Sequence, residues 1–493
     1  MNIKGYGGLI SVSALTQLLL LASQLVLLPV QLSIWGEVRT AGWYSSLAVA
    51  MLASVADLGF RVKGHDELII IRDQLDDTHA RERFSTAWFL VRTLVLISTL
   101  AIALVDVVVH LAASAPYRFW RISLIVALGV ETLVVVRVMY FDTFRQYVSG
   151  ELGYLTLIAT RVAAALVALL LFDWSEVGLA NVFLASSVAG LLLQERLCTQ
   201  GHPFKLLERT GTWPTWRAVT EAPRTMADPL TNWARLSLPV LVLGQIAPPS
   251  AITAYVALRA VFSALRSVLQ QLARVGSTEY LFIRTSVSPV QANHVMTVFL
   301  VTSAFLASVA GLACLLDRVR LVQYWVSSLD TAVYMPLAAA FAVSAAFYPY
   351  QILLATMMRQ GQIAKIARIE YGYLLSIAIL SLLIVAIGTL QIYPLALAAS
   401  EIGLAMGFYW AFAGPQINGP RNGFQASLMS VIIMLCAVTY VFLAPGIQGG
   451  RQFPTLLQVD LLVGTVSACL LAAVAWRKAG FAYRAMRRAS AEP

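Results

Sequence analysis

Four polar side chains fall on one face of an otherwise apolar run near the middle of the chain. Arg259, Ser263, Arg266 and Gln270 stand at i, i+4, i+7 and i+11, within about 60° of arc at 100° per residue. Leu258, Val261, Leu265 and Leu269 fill the other faces. Arg266 and the following Arg274 could snorkel to a membrane interface. Arg259, two turns deeper, cannot do so easily. A guanidinium binds phosphate through a planar fork. The continuous basic and polar stripe therefore reads as one wall of a wet cavity for an anion.

Other apolar runs carry ionisable residues as well: Arg92, Glu131 with Arg137, Arg161, Arg235 and Glu401. Asp57 closes the second run and stands four residues before Arg61, a spacing that lets the two pair on one helical face. A lone charge at the centre of such a run costs about 2.5–3.5 kcal/mol on insertion scales, so each of these residues should face protein or water. Arg92, Arg137 and Arg235 sit close enough to run ends for snorkelling to compete with a binding role. Arg161 and Glu401 are deep, and Glu131 is placed to pair with a cation from its own half. Asp106 reads as a solvated boundary acid. Six arginines (92, 137, 161, 235, 259, 266) against four acids (57, 106, 131, 401) favour an anionic cargo over a cationic drug. Asp57, Glu131 and Glu401 are the candidate coupling acids.

The elements that must position these groups follow from composition. The chain of 493 residues is 59% hydrophobic and 12% charged. A soluble domain would carry about 25% charge. Apolar runs of helical length without strand-type alternation predict an all-α polytopic membrane protein. Hydropathy places about fourteen spans, at 9–34, 41–60, 87–111, 122–141, 149–172, 174–194, 228–246, 250–273, 290–315, 329–357, 370–389, 391–413, 424–445 and 456–476. With both termini cytoplasmic, 23 of the 35 basic residues fall in inside segments and six in outside segments, as the positive-inside rule requires. The first run has no convincing cleavage site and reads as a retained span. Trp35, Trp43, Trp88, Trp120, Trp174, Trp325 and Trp476 lie near span ends, where an interfacial aromatic belt is expected. Pro336 and Pro349 should interrupt the tenth span, and Pro229 and Pro239 fall in the seventh.

Composition also excludes function classes. The four cysteines and five histidines are scattered without ligand spacing, so no metal or haem site is expected and no cofactor is called for. The basic residues form no nucleic-acid patch. A Walker A pattern is absent, so the chain is not expected to hydrolyse nucleotides.

The chain divides into a six-helix half at 1–194, a cytoplasmic linker at 195–227, a second six-helix half at 228–415, two further spans within 416–476 and a basic cytoplasmic tail at 477–493. Leu28-Pro29-Val30 before Gly36 and Tyr44 is echoed by Leu238-Pro239-Val240 before Gly244 and Tyr255, which suggests a duplicated unit. One stretch adds a resemblance. Trp35-Gly36, a short gap, Gly42-Trp43-Tyr44, an apolar helix and Asp57-Leu58-Gly59-Phe60 resemble the first hairpin of polysaccharide-biosynthesis (Wzx-type O-antigen) flippases. These belong to the multidrug/oligosaccharidyl-lipid/polysaccharide exporter superfamily. The resemblance covers at least residues 1–415.

That resemblance implies two six-helix lobes facing each other across a central cavity, with helices 13 and 14 an appendage. It further implies a bacterial inner-membrane flippase, not an enzyme, that moves an undecaprenyl-pyrophosphate-linked oligosaccharide by alternating access. Membrane lipids and other polysaccharide-assembly proteins would be its partners. Two other readings stay open: a membrane glycan polymerase or ligase, which the short outside loops disfavour, and a drug/cation antiporter of the same superfamily, which the arginine balance disfavours.

The topology is testable by labelling. In an otherwise cysteine-free chain, single cysteines at Ser114 and Gly449 are expected to react with an impermeant thiol reagent added outside, and one at Ser490 is not. Labelling at 490 from outside would overturn the fourteen-span arrangement.

Overall fold

The computed structural model describes residues 3–56, 77–112, 118–143, 147–172, 174–201, 216–286, 289–316, 331–359, 362–388 and 393–412. Among these the chain is helical almost throughout, with no strand. The helices are α1 (Ile3–Ala50), α2 (Asp77–Ala112), α3 (Trp120–Thr143), α4 (Tyr147–Phe172), α5 (Glu176–Gly201), α6 (Trp216–Ile246), α7 (Pro249–Ser286), α8 (Pro289–Leu316), α9 (Thr331–Phe347), α10 (Tyr350–Arg359), α11 (Ile363–Ile387) and α12 (Tyr393–Phe412). The expected spans at 424–445 and 456–476, and the tail, lie outside the described residues. The chain packs as two units, Met1–Thr253 and Ala254–Pro493. Helix enters the expected 195–227 segment from both sides, through the end of α5 and the start of α6.

The first two expected spans meet without a loop. α1 continues through both and breaks only at Gly36, whose φ of 73° and ψ of 175° an L side chain rarely adopts. A Cβ there would meet nothing within 4 Å, so backbone conformation and not crowding selects glycine. A 3₁₀ turn, Met51–Val55, then ends the second arm.

In the first unit α3 is the interior helix, packed by α1, α2, α4 and α5. Trp43 lies at one end of this bundle and is 2% exposed. It stacks on Trp120 (centroids 5.3 Å apart) and meets Trp35 and Phe183 edge-on at 5.8 and 5.7 Å. Trp35 donates its indole N–H to the Trp174 carbonyl at 3.0 Å. This corrects the aromatic-belt expectation: Trp35, Trp43, Trp88 and Trp120 are buried, and only Trp174 of the five described is exposed. Proximity to a span end did fit an interfacial ring, but neighbouring helices cover these ones in two separate clusters. Close approach of α5 to α4 needs Gly190, where a Cβ would come within 2.8 Å of the Leu157 Cβ.

Elsewhere the surface is apolar. Leu96, Ile97, Leu100 and Leu104 of α2 and Leu375, Ile379, Leu382 and Leu383 of α11 are exposed. Such continuous apolar faces belong in hydrocarbon and not in water. Among the described residues, stretches within α2, α4, α5 and α11 are each long and apolar enough to cross a membrane alone, and the bent α9–α10 pair is so jointly. The protein is therefore an all-α, multi-pass membrane protein.

In the second unit Tyr255 and Phe262 of α7 pack on Phe341 of α9 at 5.4 and 5.2 Å. Tyr350 of α10 stacks on Phe408 of α12 at 5.2 Å. The expected tenth span is two helices that meet at 45° beside Pro349. Pro336, expected to interrupt it too, lies within α9.

Trp43→Ala removes the ring at the centre of the aromatic cluster. A loss of about 3–5 kcal/mol is expected, as for other large-to-small core changes. It should appear as a lower thermal unfolding midpoint in detergent; an unchanged midpoint would contradict the packing.

Candidate functional site

Charge inside the first unit is organised by α3, which contributes a partner to three ion pairs. Near one end Arg121 donates through Nε and Nη2 to the Asp106 carboxylate of α2 at 2.9 and 2.5 Å, and through Nη1 to Ser46 Oγ of α1 at 3.0 Å. His110 Nδ1 lies 3.7 Å from the same carboxylate. Asp106 is 6% exposed, so the solvated boundary reading is corrected: it is a buried acid held by a two-pronged arginine. The sequence hid this because Arg121 counts as a loop charge when the span is taken to begin at 122.

In mid-helix Glu131 meets Arg161 of α4, with Nη1 2.7 Å from Oε2. The same guanidinium donates to Ser186 Oγ at 3.3 Å and Ser187 Oγ at 2.8 Å on α5. It also lies 4.6 Å from the centre of the Phe183 ring. The cation that Glu131 was placed to find is thus Arg161, and neighbouring groups surround that guanidinium.

Toward the other end Arg137 pairs with Glu195 of α5 and lies over the Trp88 ring at 4.8 Å. It is 3% exposed, so it packs inward and does not snorkel. A fourth cluster caps the bundle. Arg39 grips Glu176, the first residue of α5, at 3.1 and 3.0 Å, with Arg118 at 3.8 Å. An acid in the first helical turn is also favoured by the helix dipole.

The remaining candidates are placed as follows. Arg92 is half-buried with its guanidinium 5.4 Å from the Phe89 ring. Arg235 is buried on α6. Next to it, α6 is tied to α1 by Trp233, which donates to the Ala48 carbonyl at 3.0 Å. On α7 the positions from Ala251 to Leu258 are all buried, whereas Arg259, Ser263 and Arg266 are half-buried. The stripe thus begins where α7 stops being enclosed on every side. Leu258 and Leu269, off the stripe, are buried; Val261 and Leu265 are half-buried. The side chain of Gln270, and all of Asp57, lie outside the described residues.

Glu401 of α12 is buried and accepts a hydrogen bond from Tyr373 Oη of α11 at 3.0 Å. Glu370, one turn earlier on α11, is buried too and was not singled out from the sequence. Its place in a basic-looking stretch with Lys365 and Arg368, near a span end, disguised it as a boundary charge. Among the described residues no three His, Cys, Asp or Glu side chains converge as metal ligands.

Arg161→Ala would strand Glu131 in the bundle. A cost of about 3–5 kcal/mol is expected for breaking a buried pair. The double replacement Glu131→Leu with Arg161→Met should recover most of it in thermal unfolding. If the double variant is no better than Arg161→Ala, the two side chains do not act as a pair.

No protein-family profile and no curated protein matches this chain. Solved structures do match its fold. A lipid II flippase, MurJ, in an inward-closed conformation aligns over 95% of this chain and 98% of its own, with a TM-score of 0.58 at 10% identity. An inward-facing multidrug resistance MATE family transporter of the MOP superfamily covers 87% and 96%, at 0.55 and 13%. A MOP-superfamily transporter from Pyrococcus furiosus, for which a binding pocket of reversed polarity suggests a different function, covers 85% and 95%, at 0.50 and 12%. The chain therefore has the fold shared by MOP-superfamily transporters.

Proposed function

We propose that this protein is a flippase that carries a lipid-linked oligosaccharide across the bacterial inner membrane by alternating access, with both termini cytoplasmic. The cargo is an undecaprenyl-pyrophosphate glycan for cell-surface polysaccharide. The reading rests on a transporter fold that also serves a lipid II flippase, and on the first-hairpin resemblance carried by Trp35-Gly36 and Gly42-Trp43-Tyr44. The observation that carries it is the row of Arg259, Ser263 and Arg266 on one face of α7, half-buried just beyond the fully buried stretch from Ala251 to Leu258. Two guanidiniums on one face suit a pyrophosphate, since each can present a planar fork to phosphate oxygens. An exporter of cations would need the opposite sign on such a wall. The Pyrococcus furiosus transporter supports treating pocket polarity as the feature that separates functions on this fold.

Within this reading Arg259 and Arg266, with Ser263 and Gln270, hold the phosphate. Arg235, Arg92, Arg137 and Arg161 are secondary candidates, the last two through the charge clusters they organise. Asp57, Glu131 and Glu401 are candidates for coupling to an ion gradient. The lipid tail stays in the bilayer while the head crosses inside the protein, and no covalent bond changes.

Loss of the protein should leave its lipid-linked glycan accumulating on the cytoplasmic leaflet. Arg259→Lys keeps the charge and loses the fork. It should lower export by about tenfold, the scale of one charge-assisted hydrogen bond, with protein abundance near normal. Leu265→Ala, off the stripe on the same helix, should cost little. If Arg259→Lys and Arg259→Ala both export as well as the unmodified protein, Arg259 does not serve the route.

A further inference from the structure

α9 and α10 are halves of one apolar run, and the break between them is buried. Every position from Ala342 to Leu353 is enclosed. Pro349 has no N–H, so the Ala345 carbonyl lacks its regular donor four residues on. It accepts instead from the Tyr348 N–H at 3.0 Å. The Gln351 N–H likewise serves the Tyr348 carbonyl at 3.0 Å, and the Ile352 N–H the Pro349 carbonyl at 3.0 Å. In an uninterrupted helix the Tyr348 and Gln351 N–H groups would serve the carbonyls of Ser344 and Phe347. Around the break these bonds run at three-residue spacing. The Ser344 hydroxyl donates elsewhere, to the Ala340 carbonyl at 2.7 Å.

Gln351 lies beside this rearranged turn. It is 4% exposed, and among the described residues neither its Oε1 nor its Nε2 has a hydrogen-bond partner. Helical side chains lean toward the N-terminus of their helix, so an amide at the second position of α10 is directed toward the break. A buried amide left unmatched costs about 1–3 kcal/mol per group. An amide with neither its donor nor its acceptor matched, beside a turn where Pro349 supplies no N–H, is suited by one small ligand that both donates and accepts. An internal water typically makes about three such bonds.

We propose that the α9–α10 break is a hydrated hinge: a water molecule held by the Gln351 amide beside Pro349. The water bridges the break while α10 changes its angle to α9, so no backbone group is stranded in the apolar core during the movement. The movement's role in carrying substrate rests on the transporter reading; the water site does not.

Hydroxyl-radical footprinting of the full-length protein in lipid nanodiscs tests the site, because radicals formed from a bound water mark the side chains beside it. Tyr348 and Tyr350 are 5% and 2% exposed; Tyr255 and Tyr280, at 2% and 1%, serve as references. Tyr348 and Tyr350 should oxidise about fivefold faster than the references, given a water held beside them. Gln351→Leu, of similar size but without the amide, should bring their rates down to the references. Equal rates in the unmodified protein would overturn the proposal, and that comparison needs no variant to fold. Rates unchanged by Gln351→Leu would overturn it too. If the protein moves no glycan yet labels as stated, the functional reading falls and the hydrated hinge stands.

Discussion

A charge in the hydrocarbon layer must face a partner or water, and in the first unit ion pairs meet that requirement. α3 carries Arg121, Glu131 and Arg137, and each meets a charge of opposite sign on a different helix: Asp106 on α2, Arg161 on α4 and Glu195 on α5. An isolated charge at such depth costs about 2.5–3.5 kcal/mol on insertion scales. Pairing lowers that cost, and it also fixes rotation and height, because a helix that slipped by one turn would leave two charges unmatched. The pairs therefore set register, a role for which buried ion pairs are better suited than for raw stability.

Apolar packing completes what the pairs locate. The Trp43 cluster lies between the arms of α1 and the neighbouring α3 and α5, and the Arg39–Glu176 pair closes the same end. Gly36 makes this possible by turning the chain in a single residue, which brings Trp35 and Trp43 together from either side of the break. Ion pairs and rings thus constrain the same helices through different physics. The first depends on low dielectric, the second on the removal of water from large apolar surfaces.

Among the described residues, the interior of the second unit includes aromatic and small-residue packing, Glu401 bonded to a tyrosine hydroxyl, and a bent helix pair. The arginine row on α7 belongs to this second unit.

The sequence by itself determined the class and most of the helices, since hydropathy over 20-residue windows is a local property that the membrane enforces. The polar row of Arg259, Ser263 and Arg266 was legible for the same reason: helical periodicity alone places its members on one face. Tertiary structure decided what the charges do. Asp106 looked solvated until Arg121 was found two-pronged upon it, and Arg137 looked able to snorkel until Glu195 and Trp88 enclosed it. Such partners lie on other helices, 15 to 58 residues away in the chain, at separations no local pattern encodes. The four buried tryptophans were misread on similar grounds, because nearness to a span end does not say whether neighbouring helices will cover a ring. Gln351 is the sharpest case: an ordinary glutamine in the sequence becomes notable only when the helix beside it breaks inside the core and its buried amide meets no described partner.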